Sequence, residues 1–97
     1  MGTNRTDAPL VSIIVVNWNG IEFIDDCLSA LEKQTWKRRE FILVDNGSTD
    51  GSAEHIRNWT AQLANAQGIF LSENTGFCKA NNLAFAKATG EWIALVN

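Results

Sequence analysis

The sequence predicts an α/β fold in which strands and helices alternate as β-α-β-α-β-α-β around a doubly wound, mostly parallel sheet. Two observations support this prediction. Short apolar runs alternate with segments whose apolar residues recur every three or four positions, as on one face of a helix. The runs at 10–16 and 41–44 are apolar almost without interruption, which is typical of strands buried on both faces of a parallel sheet. Strand, helix and strand in this order pair through right-handed crossovers.

The limits of the elements follow from these patterns and from the turn residues between them. The predicted strands are residues 10–16, 40–45, 68–71 and 91–96, and the predicted helices are 21 to about 35, 51 to about 63 and 77 to about 89. Asn19 is expected to cap the first helix, with Glu22 completing a capping box. Asp50 is expected to cap the second helix, and Gly90 to follow the third as its C′ residue.

Size and composition indicate one small globular domain without a nucleic-acid surface. The chain has 97 residues, of which 45% are hydrophobic and 20% charged, and its net charge is −3. A net negative chain with a single short basic cluster, at 37–39, does not present a surface that follows phosphates, so no nucleic-acid partner is expected. Residues 1–9 are expected to form a flexible N-terminal tail, and residues 10–97 the folded part.

We expect the strand order 3-2-1-4, which leaves one face of the sheet under-protected. In that order the first two helices cover one face, and the third helix alone covers the other, with its stripe starting at Phe77. The first strand is apolar on both sides, so its second face needs more cover. Residues beyond this chain, or a second copy forming a homo-oligomer through the uncovered sheet, would provide it.

Polar loops follow the ends of the predicted strands, and the loops after strands one, two and four are expected to converge where the strand order reverses, between strands one and four. Neither G-x-G-x-x-G nor G-x-x-x-x-G-K-[ST] is present, so the usual dinucleotide and P-loop sites are not supported. Trp18 offers an aromatic ring on which a planar heterocycle can stack. Asp45, Asn46 and Ser48 offer hydrogen bonds to such a heterocycle and to its sugar. The alternatives are that Trp18 is a half-buried packing residue and that the second loop is only a turn and a helix cap.

The remaining reactive residues indicate no further site. Cys27 and Cys78 have no C-x-x-C partner or paired histidine and are expected to be reduced, packed thiols. His55, the single histidine, is expected at the surface or at its boundary. The N-terminal residues have no apolar signal segment and no run is long enough to span a membrane, so a cytoplasmic location is expected, and for the full-length protein one peripheral to the inner face of the membrane.

Three motifs, taken in order, resemble those of family-2 glycosyltransferases of the GT-A type. They are VSIIVVNWN at 11–19, FILVDNGSTDGS at 41–52 and ENTGFCKANN at 73–82. The last is similar to the E-N-x-G-F-x-x-x-N-N run of the branch that includes rhamnosyltransferases. The resemblance covers residues 10–97 and implies the N-terminal half of a GT-A fold, which holds the nucleotide-sugar donor.

The resemblance also implies roles for single residues. Val16 and Trp18 match positions that touch the nucleoside, and Asn46 matches a carboxylate that reads the pyrimidine base in many members. Asn81 stands where other branches have an arginine near the diphosphate. The remaining donor-binding residues implied are Asp45, Ser48, Asn74 and Gly76. Asn97 matches the residue that opens the metal motif, whose aspartate lies beyond the chain, so Mg²⁺ or Mn²⁺ is expected in the full-length enzyme and no complete metal site or catalytic residue in this chain.

The function implied is transfer of a sugar, with rhamnose as one candidate, from a dTDP- or UDP-sugar to a glycan or lipid-linked acceptor hydroxyl with inversion, in cell-surface polysaccharide synthesis. The 97-residue chain alone is expected to be inactive. The alternative is a non-catalytic nucleotide-binding or assembly module that pairs through its exposed sheet face. A flavodoxin-like receiver domain requires an acidic cluster at the strand ends, where residues 17–19 are Asn, Trp and Asn.

Overall fold

The computed structural model describes residues 8–96, which form a four-stranded parallel sheet with helices on both faces. In chain order the elements are β1 (Val11–Asn17), α1 (Ile24–Glu32), β2 (Arg39–Asp45), α2 (Ser52–Ala61), β3 (Ala66–Phe70), α3 (Phe77–Lys87) and β4 (Trp92–Val96). The strand order is β3-β2-β1-β4, and each neighbouring pair is parallel. The doubly wound α/β prediction and its strand order are therefore confirmed. The predicted tail falls mostly on residues 1–7, which lie outside the described residues.

Two apolar cores lie on opposite faces of the sheet, because successive residues of a strand point to opposite sides. On one face, α1 and α2 pack on alternate residues of β1 and β2, with a core of Ile13, Val15, Ile24, Leu28, Leu31, Phe41, Leu43 and Ile56. On the other face, the small residues Ala80 and Ala84 of α3 approach Ile14, Ile42 and Val44 closely. The predicted division of the helices between the two faces is confirmed.

β4 is the least covered strand of the sheet. Ile93 and Leu95 pair with Ser12 and Ile14 in register and so share the α3 face, yet they are 46% and 53% exposed. Trp92 is 64% exposed. The second face of β1, which was expected to need more cover, is buried under α3, with Ile14 only 1% exposed, so that expectation is wrong for β1 and the under-covered strand is β4. Phe77, expected to head the buried stripe of α3, is instead 55% exposed, so that assignment is wrong.

The predicted cap of the first helix is wrong. α1 begins at Ile24, Phe23 occupies the N-cap position without a side-chain hydrogen bond, and Ile21 lies in a turn at the surface. Asn19 adopts a left-handed conformation with φ 51°. Its side chain accepts a hydrogen bond from the backbone of Thr49, thirty residues away, so it cannot cap the nearby helix.

Two other predicted helix boundaries shift for physical reasons. The N-cap residue of α2 is Gly51 and not Asp50. Asp50 precedes the N-cap by one residue, and its side chain accepts a hydrogen bond from the Ser52 N–H at 2.9 Å. α3 ends at Lys87, and its C-cap Ala88 is already extended. Gly90 therefore does not serve as a C′ residue. A Cβ at Gly90 would lie 2.5 Å from Ser12 Oγ, so the close approach of the chain to β1 requires glycine there.

The cysteines and the histidine occupy different environments. Cys27 is partly buried, but Cys78 is exposed, so the expectation of a packed thiol is wrong for Cys78. His55 lies at the surface boundary, as predicted, and its Nδ1 is 2.7 Å from Asp25 Oδ1. Within residues 8–96, none of the helices has the length and apolar character that crossing a membrane requires.

Candidate functional site

The loops after β1 and β2 are joined through the side chain of Asn17. Asn17 is the last residue of β1 and is 7% exposed. Its Nδ2 donates to Asp45 Oδ1 at 2.9 Å and to Ser52 Oγ at 2.8 Å, and lies 3.2 Å from Ser48 Oγ. Asp45, which is 2% exposed, also accepts hydrogen bonds from the backbone and hydroxyl of Ser48. One buried amide and one buried carboxylate thus hold both strand ends in register.

Three further hydrogen bonds tie the β1–α1 turn to the β2–α2 loop. Ser48 Oγ accepts the Asn19 N–H at 2.8 Å, and Asn19 Oδ1 accepts the Thr49 N–H at 2.8 Å. Asp50 Oδ2 accepts the Ile21 N–H at 2.9 Å. The hydroxyl of Ser52, followed by backbone N–H donors, holds the pKa of Asp50 below its usual value. The two loops therefore form one cross-linked unit.

The side chain of Asn46 joins this unit to the β3–α3 loop, residues 71–76. Asn46 is 3% exposed. Its Oδ1 accepts hydrogen bonds from the backbone and hydroxyl of Thr75 at 2.9 and 3.1 Å. Its Nδ2 donates to Asn74 Oδ1 at 3.2 Å and to the Gly76 carbonyl at 3.3 Å. The structure thus brings Asp45, Asn46, Ser48, Asn74 and Gly76 into one connected cluster.

Gly47 permits the close approach of the two loops. It has φ 79°, in the left-handed region that favours glycine. A Cβ at this position would lie 2.4 Å from the backbone carbon and 2.5 Å from the Cα of Glu73. The backbone of the β3–α3 loop therefore passes directly against Gly47.

A cavity of about 250 Å³ opens beside this cluster, at the end of β1. Val16 and Trp18 both line it, as do Phe23 and Cys27, so the structure brings the two predicted nucleoside residues together. Trp18 is 54% exposed and Phe23 is 72% exposed. With 54% exposure Trp18 is close to half-buried, so the packing alternative and the nucleoside-contact prediction both stand. Burial raises the pKa of the Cys27 thiol, which favours its neutral form.

The two remaining predicted residues are Asn81 and Asn97. Asn81 is buried in α3 at 7% exposure, and its Nδ2 donates to the Phe77 carbonyl one turn earlier at 3.2 Å. Local hydrogen bonding therefore compensates for the poor helix propensity of Asn81. Asn97, predicted to open a metal motif, lies outside the described residues.

The described residues do not form a metal site. Nowhere between residues 8 and 96 do three histidine, cysteine, aspartate or glutamate side chains come together as ligands. Of the strand-end carboxylates, Asp45 and Asp50 already accept several hydrogen bonds within the protein. A divalent cation prefers several carboxylate oxygens, so the residues present do not fit one.

The sequence did not lead us to the residues whose hydrogen bonds connect the loops of the site. Asn17, Thr75 and Ser52 make the connecting hydrogen bonds, but in sequence they look like ordinary turn and helix-start residues. One signal was available for Asn17. A polar amide that directly ends a doubly apolar strand remains at the level of the core, where its hydrogen bonds must be made within the protein.

The sequence matches the family described as Glycosyl transferase family 2 over residues 12–97. TuaG of Bacillus subtilis (strain 168), which is named for a glycosyltransferase role in teichuronic acid biosynthesis, is 30% identical over 89 residues. That match covers 92% of this chain and 35% of TuaG. The chain therefore spans about a third of the length of this curated relative.

Solved structures show the same fold. The mannosyltransferase PcManGT from Pyrobaculum calidifontis, in complex with GDP-Man and Mn²⁺, has a TM-score of 0.81 and 29% identity, over 91% of this chain and 27% of its own. Residues 1–349 of S. aureus TarS, in complex with UDP-GlcNAc, have a TM-score of 0.79 and 30% identity, over 89% of this chain and 25% of theirs. The fold is thus consistent with the N-terminal half of a GT-A fold, as predicted. With a family match that extends from residue 12 to residue 97, this chain belongs to glycosyl transferase family 2.

Proposed function

We propose that this chain forms the nucleotide-sugar-binding part of a glycosyltransferase, which transfers a sugar from a nucleoside diphosphate to an acceptor hydroxyl with inversion. One observation carries the proposal. The polar loops after β1, β2 and β3 meet at one edge of the sheet, beside a cavity lined by the end of β1, the turn after it and α1. In open α/β sheets that edge is where ligands bind. Membership of the family supports the same chemistry.

Trp18 is the residue best placed to meet a nucleobase. Trp18 is 54% exposed and lines the cavity together with Val16, so part of its surface is accessible to a planar heterocycle, on which an indole can stack. Asp45 and Ser48 also belong to the proposed donor-binding set, and their side chains are hydrogen-bonded to each other. The proposed donor-binding set is completed by Asn46, Asn74, Gly76 and Asn81.

The donor class proposed is a dTDP- or UDP-sugar, with rhamnose as the sugar suggested by the motif at 73–82. Binding of GDP-Man by PcManGT and of UDP-GlcNAc by TarS supports a nucleoside diphosphate sugar as the ligand class. The name of TuaG supports a role in cell-surface polysaccharide synthesis. We propose a glycan or lipid-linked sugar as the acceptor, met at the cytoplasmic side of the membrane.

Calorimetric titration of the full polypeptide with UDP, dTDP, GDP and ADP tests the donor site. We expect UDP or dTDP to bind more tightly than GDP and ADP. A response to ADP equal to the others, or no response to any nucleotide, would remove the proposal.

Substitution of Trp18 tests where the base lies. Trp18→Leu should weaken nucleotide binding by about fivefold or more, because stacking on an aromatic ring contributes about 1–3 kcal/mol per base. Trp92→Leu is the matched control. Trp92 is 64% exposed and is the first residue of β4, so it lies at the end of the sheet opposite the candidate site. Equal effects of the two substitutions would show that the base does not stack on Trp18.

We further propose that the 97-residue chain does not transfer sugar by itself. Displacing a nucleoside diphosphate requires charge stabilisation at the leaving group and a base for the acceptor proton. Mg²⁺ or Mn²⁺ in the full polypeptide is part of this proposal, as PcManGT is in complex with Mn²⁺. The test incubates the 97-residue chain and the full polypeptide with donor, Mn²⁺ and lipid-linked acceptors. Comparable turnover by the short chain would contradict the proposal.

The second candidate function is an assembly module that pairs through its sheet. The exposed Trp92, Ile93 and Leu95 of β4 favour this candidate, because apolar residues clustered on an edge strand are typical of an interface. The nucleotide titration separates an assembly module that binds no nucleotide from the donor-binding part, and the transfer assay on the full polypeptide separates a non-catalytic nucleotide-binding module from a glycosyltransferase.

A further inference from the structure

Asn46 uses its whole hydrogen-bonding capacity within the protein. A side-chain amide has two N–H donors and an oxygen with two lone pairs. The oxygen accepts from both the N–H and the hydroxyl of Thr75, and the nitrogen donates to Asn74 Oδ1 and to the Gly76 carbonyl. With the residue 3% exposed, neither end of the amide is free to meet a ligand.

The partners of Asn46 allow its amide only one orientation. The backbone N–H of Thr75 requires an acceptor, so the oxygen must face it at 2.9 Å. The Gly76 carbonyl requires a donor, so the nitrogen must face it at 3.3 Å. Asn74 Oδ1 also accepts the Gly76 N–H at 2.8 Å, which leaves it an acceptor toward Asn46 as well.

A carboxylate at position 46 would not make the same contacts. One oxygen could still accept from Thr75, but the other would face two acceptors, Asn74 Oδ1 and the Gly76 carbonyl. Two hydrogen bonds would become repulsive contacts in a buried place. The amide is therefore required by the β3–α3 loop as this chain folds it.

We propose that Asn46 is a positioning residue, a latch that holds the β3–α3 loop and the start of α3 against the ends of β1 and β2, and that it does not read the base itself. This inference rests on the proposed function, because it assigns the latch to the nucleotide-sugar site. The loop that it holds carries Gly76, whose φ of 91° turns the chain directly into Phe77, the first residue of α3. In this proposal Trp18, and not Asn46, contacts the base.

Hydrogen–deuterium exchange of the full polypeptide tests the latch without any ligand. Asn46→Asp should raise exchange of the segment 72–78 by about tenfold or more near neutral pH, since each lost buried hydrogen bond exposes the loop to opening. Between about pH 8 and 5 protection should return in part, because the buried new carboxyl takes up a proton and can donate again. Asp45 and Glu73 are the carboxylates next to the latch in both proteins, so exchange in each variant is compared with wild type at the same pH.

Two further substitutions and a control make the test specific. Asn46→Ala should lose the protection at every pH, and Asn74→Ala should lose part of it, because Asn74 supplies one of the partners. Asn58→Asp adds the same charge on the exposed surface of α2 and should match wild type. Unchanged exchange of 72–78 in both Asn46→Asp and Asn46→Ala would overturn the proposal.

Nucleotide titration of the same variants separates positioning from direct contact. If Asn46 positions the loop, the nucleotide affinity of Asn46→Asp should recover with the loop protection as the pH falls. A variant that keeps the loop protected but loses nucleotide affinity would show direct contact and overturn the latch. If wild type binds no nucleotide, the proposed function fails, whereas loss of loop protection in Asn46→Asp would still support the latch.

Discussion

Buried polar side chains at the ends of β1 and β2 make their hydrogen bonds to one another and to backbone groups. Asn17, Asp45 and Asn46 are 7%, 2% and 3% exposed. A buried polar group without a partner costs about 1–3 kcal/mol, so residues this deep must be satisfied within the protein. These residues therefore connect the loops of the candidate site, and the ligand contact that we propose there is assigned to Trp18 beside them.

Gly47→Ala tests how closely the β2–α2 and β3–α3 loops approach each other. The substitution should lower the free energy of unfolding by about 2–4 kcal/mol, because a Cβ at positive φ is strained and this one would also meet the backbone of Glu73. Urea unfolding followed by circular dichroism measures the change.

Gly51→Ala is the matched control for this prediction. Gly51 also has a positive φ, of 95°, but a Cβ there would have no neighbour within 4 Å. Only the conformational strain remains, and the expected loss is about 1–2 kcal/mol. Equal losses at the two positions would mean that the loops do not approach at Gly47 as described.

At the scale of the elements, Glu40 ties β2 to β1 and to the segment that leads into β4. Its carboxylate accepts the hydroxyl of Ser12 at 2.5 Å and the backbone N–H of Thr89 at 2.7 Å. Burial opposes ionisation of Glu40, but these hydrogen bonds outweigh it, so its pKa lies below its usual value of 4.5. Glu40 therefore links three segments at the end of the sheet opposite the candidate site.

Glu40→Gln should destabilise the fold in a pH-dependent way. Because folding lowers the pKa of Glu40, its carboxylate stabilises the native state above about pH 4.5, and that contribution is lost as the pH falls through the folded pKa. We expect a deficit of about 1 kcal/mol at pH 7 that shrinks in acid. Chemical unfolding at several pH values measures it. Glu22→Gln, in an exposed turn, is the control, and a deficit at Glu40 that does not change with pH would contradict the prediction.

At the scale of the whole molecule, the uncovered β4 predicts self-association of the 97-residue chain. Ile93 and Leu95 present an apolar surface on the α3 face, and the outer edge of β4 is open. Leu95→Lys should shift the chain toward monomer in sedimentation at several concentrations, because the charge opposes burial of that surface. Gln62→Lys adds the same charge on an exposed residue after α2 and should leave association unchanged. A compact monomer at all concentrations in the wild-type chain would contradict the prediction.

The sequence by itself determined the alternation of strands and helices, the parallel sheet and the faces that each helix covers. These features depend on local periodicity, which is visible in a short window of residues. The convergence of Asp45, Asn46 and Ser48 at one edge was predictable for the same reason, since parallel strands end at the same side of a sheet. The third motif also indicated that Asn74 and Gly76 belong to this edge.

Only the tertiary structure decided which partner each polar side chain takes. Asn19 binds Thr49 instead of capping α1, and Asn46 binds a loop that lies 29 residues further along the chain. Position 90 requires glycine because a Cβ there would meet Ser12, which lies 78 residues earlier and accepts the Gly90 N–H. Polar side chains have several acceptable hydrogen-bonding partners of similar energy, and the packing of the elements selects among them. The local sequence does not contain that choice.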